Sequence, residues 1–333
     1  MVALAILSLA PSGCWAPSDR EVVVYTALDR EFSEPIFERF EHETGIRVLA
    51  KYDVESTKTV GLVSAIIGEA NRPRCDLFWN NEILHTLRLE RRGLLAPYRA
   101  PAEADYPEAY RAPDGAWHGF AARIRVLVVN TELVAEADRP DSIHDLIDPK
   151  WKDKVGIAKP LFGTTATHAA VLFAHWGDRQ AREFFQHLKE NAQILSGNKQ
   201  VALAVGRGEL AFGLTDTDDA IIERDKGRPV EIVFPDQGAD DMGALFIPNT
   251  LALIRGAAHG PAARRLVDYL LAPEVESRLA QGPSAQFPLN RRVSVQSRAQ
   301  PDQPIKHMHV DFAAAADRWD AASQFLRDLF TAD

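Results

Sequence analysis

Short apolar segments rich in β-branched residues alternate with amphipathic segments along most of this 333-residue chain, and this alternation restricts the fold more than any other feature. The first group of segments predicts strands at 21–27, 46–52 and 76–79 and helices at 31–43, 56–71 and 83–93. Repeated strand and helix units predict a parallel, doubly wound sheet with helices on both faces and right-handed crossovers.

A second group of the same kind begins near residue 123. It predicts strands at 126–130, 155–158, 210–214, 230–234 and 250–254, and helices at 165–176, 179–190, 261–271, 273–281 and 312–330. A chain of this length is expected to form about two domains. We therefore expect one α/β lobe at 21–122 plus about 249–300, a second α/β lobe at 123–248, and a C-terminal helical segment at 301–333.

The first 20 residues differ in composition from the rest. An apolar run from Met1 to Ala10 is followed by small residues, Cys14 and a polar stretch. The run is too short to span a bilayer as a helix but suits the core of a secretory signal. The segment resembles a bacterial lipoprotein signal, which implies export to the periplasm or beyond and lipidation of Cys14; the alternative is a disordered end with an incidental cysteine. Cys75 is expected to be a buried free thiol.

Charge and motifs narrow the function class. The chain has 38 Lys and Arg against 47 Asp and Glu, a net charge of −9, and lacks any block of basic residues. Binding to nucleic acid is therefore not expected. The sequence contains no phosphate-binding glycine loop, no serine nucleophile elbow and no zinc-protease motif. We expect a monomeric protein that is not an enzyme and uses no catalytic cofactor; a secreted α/β enzyme is the less favoured alternative.

Several segments carry a family resemblance in their order and spacing. They are VYTALDRE at 24–31, FERFEHETGIRV at 37–48, DLFWNNE at 76–82, RIRVLVVN at 123–130, PKWKDKV at 149–155 and GELAFG at 208–213. Together they resemble the extracytoplasmic solute-binding proteins of ABC importers (periplasmic binding proteins of type 2), above all the branch of ferric-ion-binding periplasmic proteins. The resemblance implies two lobes that close on a ligand like a hinged clamp and deliver it to a membrane permease, or act as a signalling receptor.

The resemblance also implies candidate metal ligands. Ferric-binding relatives use a His after the first strand, a Glu after the third and a pair of adjacent Tyr after a late strand. This chain has Asp29, Glu82 or Asn81, and Thr217-Asp218 at those places, so the tyrosine pair is absent. Asp29, Glu82 and Asp218 are the candidate metal ligands, because carboxylates suit hard cations such as iron(III). Alternatively, acidic residues near 216–219 simply cap a helix.

A possible anion site lies beside this acidic set. Gly163 to Thr167 leads into an apolar helix, where hydroxyls and main-chain N–H groups meet at a helix start, and Arg123 adds a bidentate donor. Trp79 ends a predicted strand at the carboxyl edge of the sheet, where ligands usually bind, so its ring is expected either to stack on an organic ligand or to lie in the core. The candidate ligand-binding residues are Asp29, Ser56, Thr57, Trp79, Asn81, Glu82, Arg123, Thr164, Thr165, Thr215, Asp216, Thr217 and Asp218.

Two ligand classes follow from these residues. The acidic set favours a metal ion of the iron(III) type, alone or with an accompanying anion. The basic and hydroxyl set favours an organic phosphate, a phosphonate or another small anion.

Overall fold

A computed structural model describes residues 19–53 and 59–331. Cys14, Ser56 and Thr57 lie outside the described residues. The strands are β1 Glu21–Thr26, β2 Arg47–Tyr52, β3 Leu77–Asn80, β4 Leu95–Ala96, β5 His118–Asn130, β6 Val155–Ala158, β7 Gln193–Leu195, β8 Phe212–Asp216, β9 Val230–Val233 and β10 Phe246–Ile254. The helices are α1 Arg30–Thr44, α2 Val60–Gly68, α3 Leu84–Arg91, α4 Gly163–Asn191, α5 Asn198–Gly206, α6 Thr217–Asp225, α7 Gly260–Leu270, α8 Pro273–Gln281 and α9 Phe312–Thr331.

The long strand β5 belongs to both halves of the sheet. Its beginning pairs with β10, in the half ordered β2-β1-β3-β10-β5. Its end pairs with β8 and β9, in the half that continues to β6 and β7. The chain therefore crosses between two α/β halves within one continuous strand, and the antiparallel strand β10 lies beside that crossing.

Strand β5 begins eight residues before the predicted strand at 126–130, and β10 begins four residues before the predicted one at 250–254. Every residue of β5 is buried, including Arg123 and Arg125. Charged residues are seldom buried unless they are paired, which is why the sequence pattern did not extend the strand over them.

Glycines end or interrupt the predicted helices where expected. Gly45 adopts a φ of 71° after α1, and its N–H donates to the carbonyl of Glu41, which is a left-handed helix cap. Gly177 adopts a φ of 77° within α4. It divides α4 into two helical parts that correspond to the two helices predicted at 165–176 and 179–190.

Helix α9 packs against elements of both halves. Arg88 of α3 pairs with Asp320 at 3.0 Å, and the ring of Phe173 in α4 meets that of Phe325 with centroids 5.9 Å apart. Cys75 is a free, buried thiol, as the sequence predicted. Burial raises the pKa of this thiol. None of the described helices combines the length and apolar composition needed to cross a membrane.

Candidate functional site

A small cavity of about 20 Å³ lies between the two halves of the molecule. The first half contributes Asp29, at the start of α1, and Asn81, which follows β3. The second half contributes the residues before and within the first turns of α4, α5 and α6. Within the described part of the chain, the lining consists of Asp29, Asn81, Arg123, Ala158, Lys159, Phe162, Gly163, Thr164, Thr165, Ser196, Gly197, Asn198, Asp216, Asp218 and Asp219.

Four carboxylates converge on this cavity. Asp216, Asp218 and Asp219 each offer an oxygen within 4.8 Å of the other two, and Asp29 faces them from the first half. Arg123, which is 3% exposed, lies with its Nη1 3.3 Å from a carboxylate oxygen of Asp218. Burial lowers the pKa of Arg123, but the surrounding aspartates, Asp218 foremost, outweigh it and raise that pKa, so the guanidinium remains charged.

Arg125 lies two residues further along β5 and is completely buried. Its Nη1 donates to Oδ1 of Asp216 at 2.8 Å and to Oδ1 of Asn198 at 3.0 Å, and lies 3.4 Å from Oγ1 of Thr164. Oδ2 of Asp216 accepts from Thr164 at 2.5 Å and from Asn198 at 3.0 Å. Nη1 of Arg125 therefore joins Thr164, Asn198 and Asp216, on one side of the cavity, in one polar network.

The same side of the cavity also has features that suit an anion. The helices α4 and α5 both begin at its wall, where Thr165 donates to Oδ1 of Asn198 at 2.9 Å. The ammonium-bearing Lys159 is part of the lining. Helix starts carry a partial positive charge and attract anions, so the cavity combines acidic and anion-attracting walls.

Glu82 does not line the cavity, which corrects its predicted place among the metal ligands. Its side chain is buried and accepts from the N–H groups of Leu84 at 2.6 Å and His85 at 3.1 Å, at the start of α3. It also accepts from Asn80 at 2.8 Å and from Thr167 of α4 at 2.9 Å. Burial raises the pKa of Glu82, against the effect of these donors. Its oxygens serve the helix start and the contact between α3 and α4.

Trp79 lies in the core and not in the cleft. It is 0% exposed, and its ring meets Phe37 at 5.6 Å and Phe120 at 5.2 Å between centroids. No face of the ring is left for stacking on a ligand, which corrects that expectation. β3 is buried on both faces, so its pattern gives no sign of which side chains face the cleft.

Thr215 and Thr217 are likewise fully buried and absent from the lining. The hydroxyl of Thr215 donates to the carbonyl of Asn198 at 3.0 Å, and that of Thr217 accepts from the N–H of Ile124 at 3.2 Å. Both hydroxyls therefore hold residues 215–217, where β8 passes directly into α6, against α5 and β5. The structure brings together the other described candidates, namely Asp29, Asn81, Arg123, Thr164, Thr165, Asp216 and Asp218.

Sequence reasoning missed Asn198, Arg125 and Lys159. Asn198 begins α5, a nine-residue helix that was not predicted. Its signal was present: Gly197-Asn198 is a suitable helix start, and Val201 and Val205 are four residues apart. Arg125 lies two residues after Arg123 on β5. It was missed because nothing in the sequence distinguishes a buried, paired arginine from one on the surface.

The mouth of the cleft holds a direct contact between the two halves. Lys199 of α5 donates to Oε1 of Glu31 in α1 at 3.2 Å. Both residues line a wider cavity at the mouth, which shares Asp29 with the inner one. The structure is therefore one in which the two walls of the cleft touch.

Comparisons with known proteins agree with this architecture. The chain is 26% identical over 282 residues to the major ferric iron-binding protein of Neisseria meningitidis serogroup A, covering 83% of each. It is 26% identical over 288 residues to a putative 2-aminoethylphosphonate-binding periplasmic protein of Salmonella paratyphi A, covering 84% of this chain and 81% of that protein.

The fold matches that of iron-bound HitA from Pseudomonas aeruginosa with a TM-score of 0.80 at 24% identity, covering 93% of this chain and 99% of HitA. The predicted two-lobe α/β fold is thereby confirmed. Residues 84–316 match the bacterial extracellular solute-binding proteins, and the chain belongs to that family of binding proteins.

Proposed function

We propose that the chain is the extracytoplasmic substrate-binding component of an ABC importer, and that its cleft captures a hard metal cation of the iron(III) type by hinge closure. The observation that carries the proposal is the convergence of Asp29, Asp216, Asp218 and Asp219 on one cavity. Carboxylates gathered in this way repel one another, and a bound cation removes that repulsion. The named ligand of the relative from Neisseria meningitidis supports the same class.

The size of the cavity supports an ion. About 20 Å³ is enough for roughly one water-sized occupant. Among the described residues, four carboxylates of the lining face two cationic side chains, Arg123 and Lys159, and Arg125 pairs with Asp216 behind the wall. Four negative charges against three positive ones also favour a cation. The lining residues that the structure describes include no tyrosine. We therefore expect an all-oxygen site of carboxylates that holds iron(III) less selectively than phenolates would.

Closure follows from where the carboxylates are attached. Asp29 belongs to the proposed first lobe, residues 21–122 plus about 249–300, and Asp218 and Asp219 to the proposed second lobe, residues 123–248. An ion contacts both sets only when the lobes are together, so its binding energy shifts the population towards the closed state. The hinge we propose lies in β5 and β10, where the chain passes between the lobes, near 119–123 and 241–250.

An organic phosphate or phosphonate is the second candidate. Lys159, Arg123 and the starts of α4 and α5 line the same cavity, and the Salmonella relative is named for a phosphonate ligand. Such a molecule is larger than one water, so it does not fit the inner cavity and would have to extend into the wider cavity at the mouth. The cavity volume therefore ranks this candidate second.

The proposal also covers the location of the protein in the cell and its delivery of the ligand. We propose that the N-terminal segment directs export, that Cys14 carries the lipid anchor, that the protein works as a monomer outside the cytoplasm, and that it delivers its ligand to a membrane permease without reacting with it. Membership in the family of bacterial extracellular solute-binding proteins supports a role in transport rather than catalysis.

Calorimetric titration of the mature protein tests the ligand class. The probes are ferric ion supplied as its nitrilotriacetate complex, Mn²⁺, Ca²⁺ and inorganic phosphate. We expect ferric ion to bind, and Asp218→Asn and Asp219→Asn each to weaken it at least about tenfold. Asp225→Asn is the matched control, because Asp225 ends the same helix and pairs with Arg298 away from the cavity. Binding of phosphate without any metal would overturn the metal proposal.

A further inference from the structure

The geometry points to Arg125 as a positioning residue that holds the starts of α4, α5 and α6 together so that all three face the ligand cleft. This inference rests on the proposed function, in that it takes the cleft to be the ligand site. Arg125 itself is 0% exposed and is not part of the cavity lining. It therefore acts on the ligand only through the residues that it holds.

Each of the three helices is attached to the guanidinium by one side chain from its start. Thr164 lies in the first turn of α4, Asn198 is the first residue of α5, and Asp216 is the N-cap of α6. All three lie within 3.4 Å of Nη1 of Arg125. Asn198 also donates to Oγ1 of Thr164 at 2.8 Å, which joins α4 and α5 directly.

The network uses side chains that ordinarily cap helices. An aspartate at the N-cap usually accepts from main-chain N–H groups of its own first turn. The side chain of Asp216 makes no such bond, because its Oδ1 accepts from Arg125 and its Oδ2 from Thr164 and Asn198. Because its carboxylate is bound to Arg125, Asp216 does not accept from the main-chain N–H groups in the first turn of α6.

This arrangement divides the acidic residues into two roles. Both oxygens of Asp216 are engaged within the network, so Asp216 fixes helix starts. Asp218 and Asp219, in the first turn of α6, supply oxygens to the ligand. Removing Arg125 alone would leave Asp216 as a buried charge without its partner, which is strongly destabilising.

The test uses a double variant that removes both charges, because Arg125→Met alone is at risk of not folding. Arg125→Met/Asp216→Asn is compared with the wild type and with Arg139→Met/Glu231→Gln, which removes an ion pair on β9 outside the cleft. Hydrogen exchange of the ligand-free proteins is followed for residues 163–170, 198–206 and 217–225, together with thermal unfolding and binding of ferric nitrilotriacetate.

We expect the double variant to fold and to exchange about tenfold faster in all three segments at once, with little change in the strands. Ferric affinity is expected to fall by about tenfold to a hundredfold, as for residues that orient metal ligands. The control variant is expected to match the wild type. Arg125→Lys keeps the charge, but its side chain is one bond shorter than the path to Nη1 of arginine, so its ammonium does not reach all three partners and is expected to recover binding only in part.

Exchange in the three segments equal to that of the wild type would overturn the role of Arg125. A wild type that binds no ferric ion would instead contradict the proposed ligand, and the exchange comparison would still decide the role of Arg125.

Discussion

The guanidinium of Arg123 lies 3.3 Å from the carboxylate of Asp218, and both side chains are almost fully buried in the wall of the cleft. A cation is thus part of a site whose other charged groups are mostly acidic. The positive charge of Arg123 has opposite effects on the binding of a metal ion and of a phosphate group. A metal ion is repelled by Arg123, whereas a phosphate group is attracted to it.

Arg123→Met is therefore expected to strengthen the binding of a metal ion supplied without a supporting anion, because it removes a positive charge and frees Asp218 from its pair. Calorimetry with Mn²⁺ and with inorganic phosphate, at one pH and ionic strength, measures the sign. Arg139→Met serves as the control for loss of one arginine. If Arg123→Met kept its fold but lost metal binding, the proposal that the cleft binds a metal ion would be contradicted.

The contact between Lys199 and Glu31 crosses the mouth of the cleft, so it is made when the walls are together. Glu31→Gln is expected to weaken ligand binding by up to about fivefold, the range of an exposed ion pair, and less at high salt. Dissociation constants at two salt concentrations check this. Glu43→Gln, which breaks the pair with Arg39 within α1, should have no effect; an equal loss in both variants would argue against a contact that favours closure.

Trp79 is expected to contribute to stability and not to ligand contact. Trp79→Ala should lower the free energy of unfolding by about 3–5 kcal/mol, as for large aromatic residues removed from a core, and Trp79→Phe by less. Urea unfolding gives the stability, and titration under native conditions gives the affinity of the folded protein. If Trp79→Phe lost affinity at unchanged stability, the ring would have to touch the ligand after all.

His85 makes stability depend on pH. Burial, assisted by Arg88, lowers its pKa to about 3, although Glu82 lies 3.7 Å away. An unfolded histidine titrates near pH 6.5, so the folded state binds fewer protons, and stability is lost as the pH falls from about 6.5 towards 3. The loss from this residue is about 2 kcal/mol at pH 5.

His85→Gln should therefore show a shallower loss of stability between pH 7 and pH 5 than the wild type. Urea unfolding at several pH values measures the slope, and the exposed His187→Gln is the control. Parallel slopes in the wild type and His85→Gln would contradict a neutral, buried His85.

Secondary structure was predictable where local patterns and helix signals agree. The strands β1 and β6 and the helices α1, α7 and α8 lie within one or two residues of the predicted bounds. Gly45 marked the end of α1 because only its left-handed conformation completes the cap. These features depend on neighbours in sequence, which a single sequence contains.

The site was predictable only in part, because it depends on which side of a buried element each residue faces. Asp29 was found through the family resemblance, and Arg123 from its position at the crossing between the lobes. Trp79 was misplaced because β3 is buried on both faces, and Glu82 because the residues that follow β3 are buried as well. Arg125 was missed because its partners lie 39 to 91 residues away in the chain, and no local pattern reports such distant pairing.

The central claim is that the acidic cleft holds a metal ion. Native mass spectrometry of the mature protein, purified without chelators or metal-affinity resin and compared with its denatured mass, tests it most directly. The account predicts an added mass equal to one metal ion, lost on chelation and absent from a variant carrying Asp218→Asn and Asp219→Asn. An organic or phosphate-sized adduct that is indifferent to chelators would contradict it.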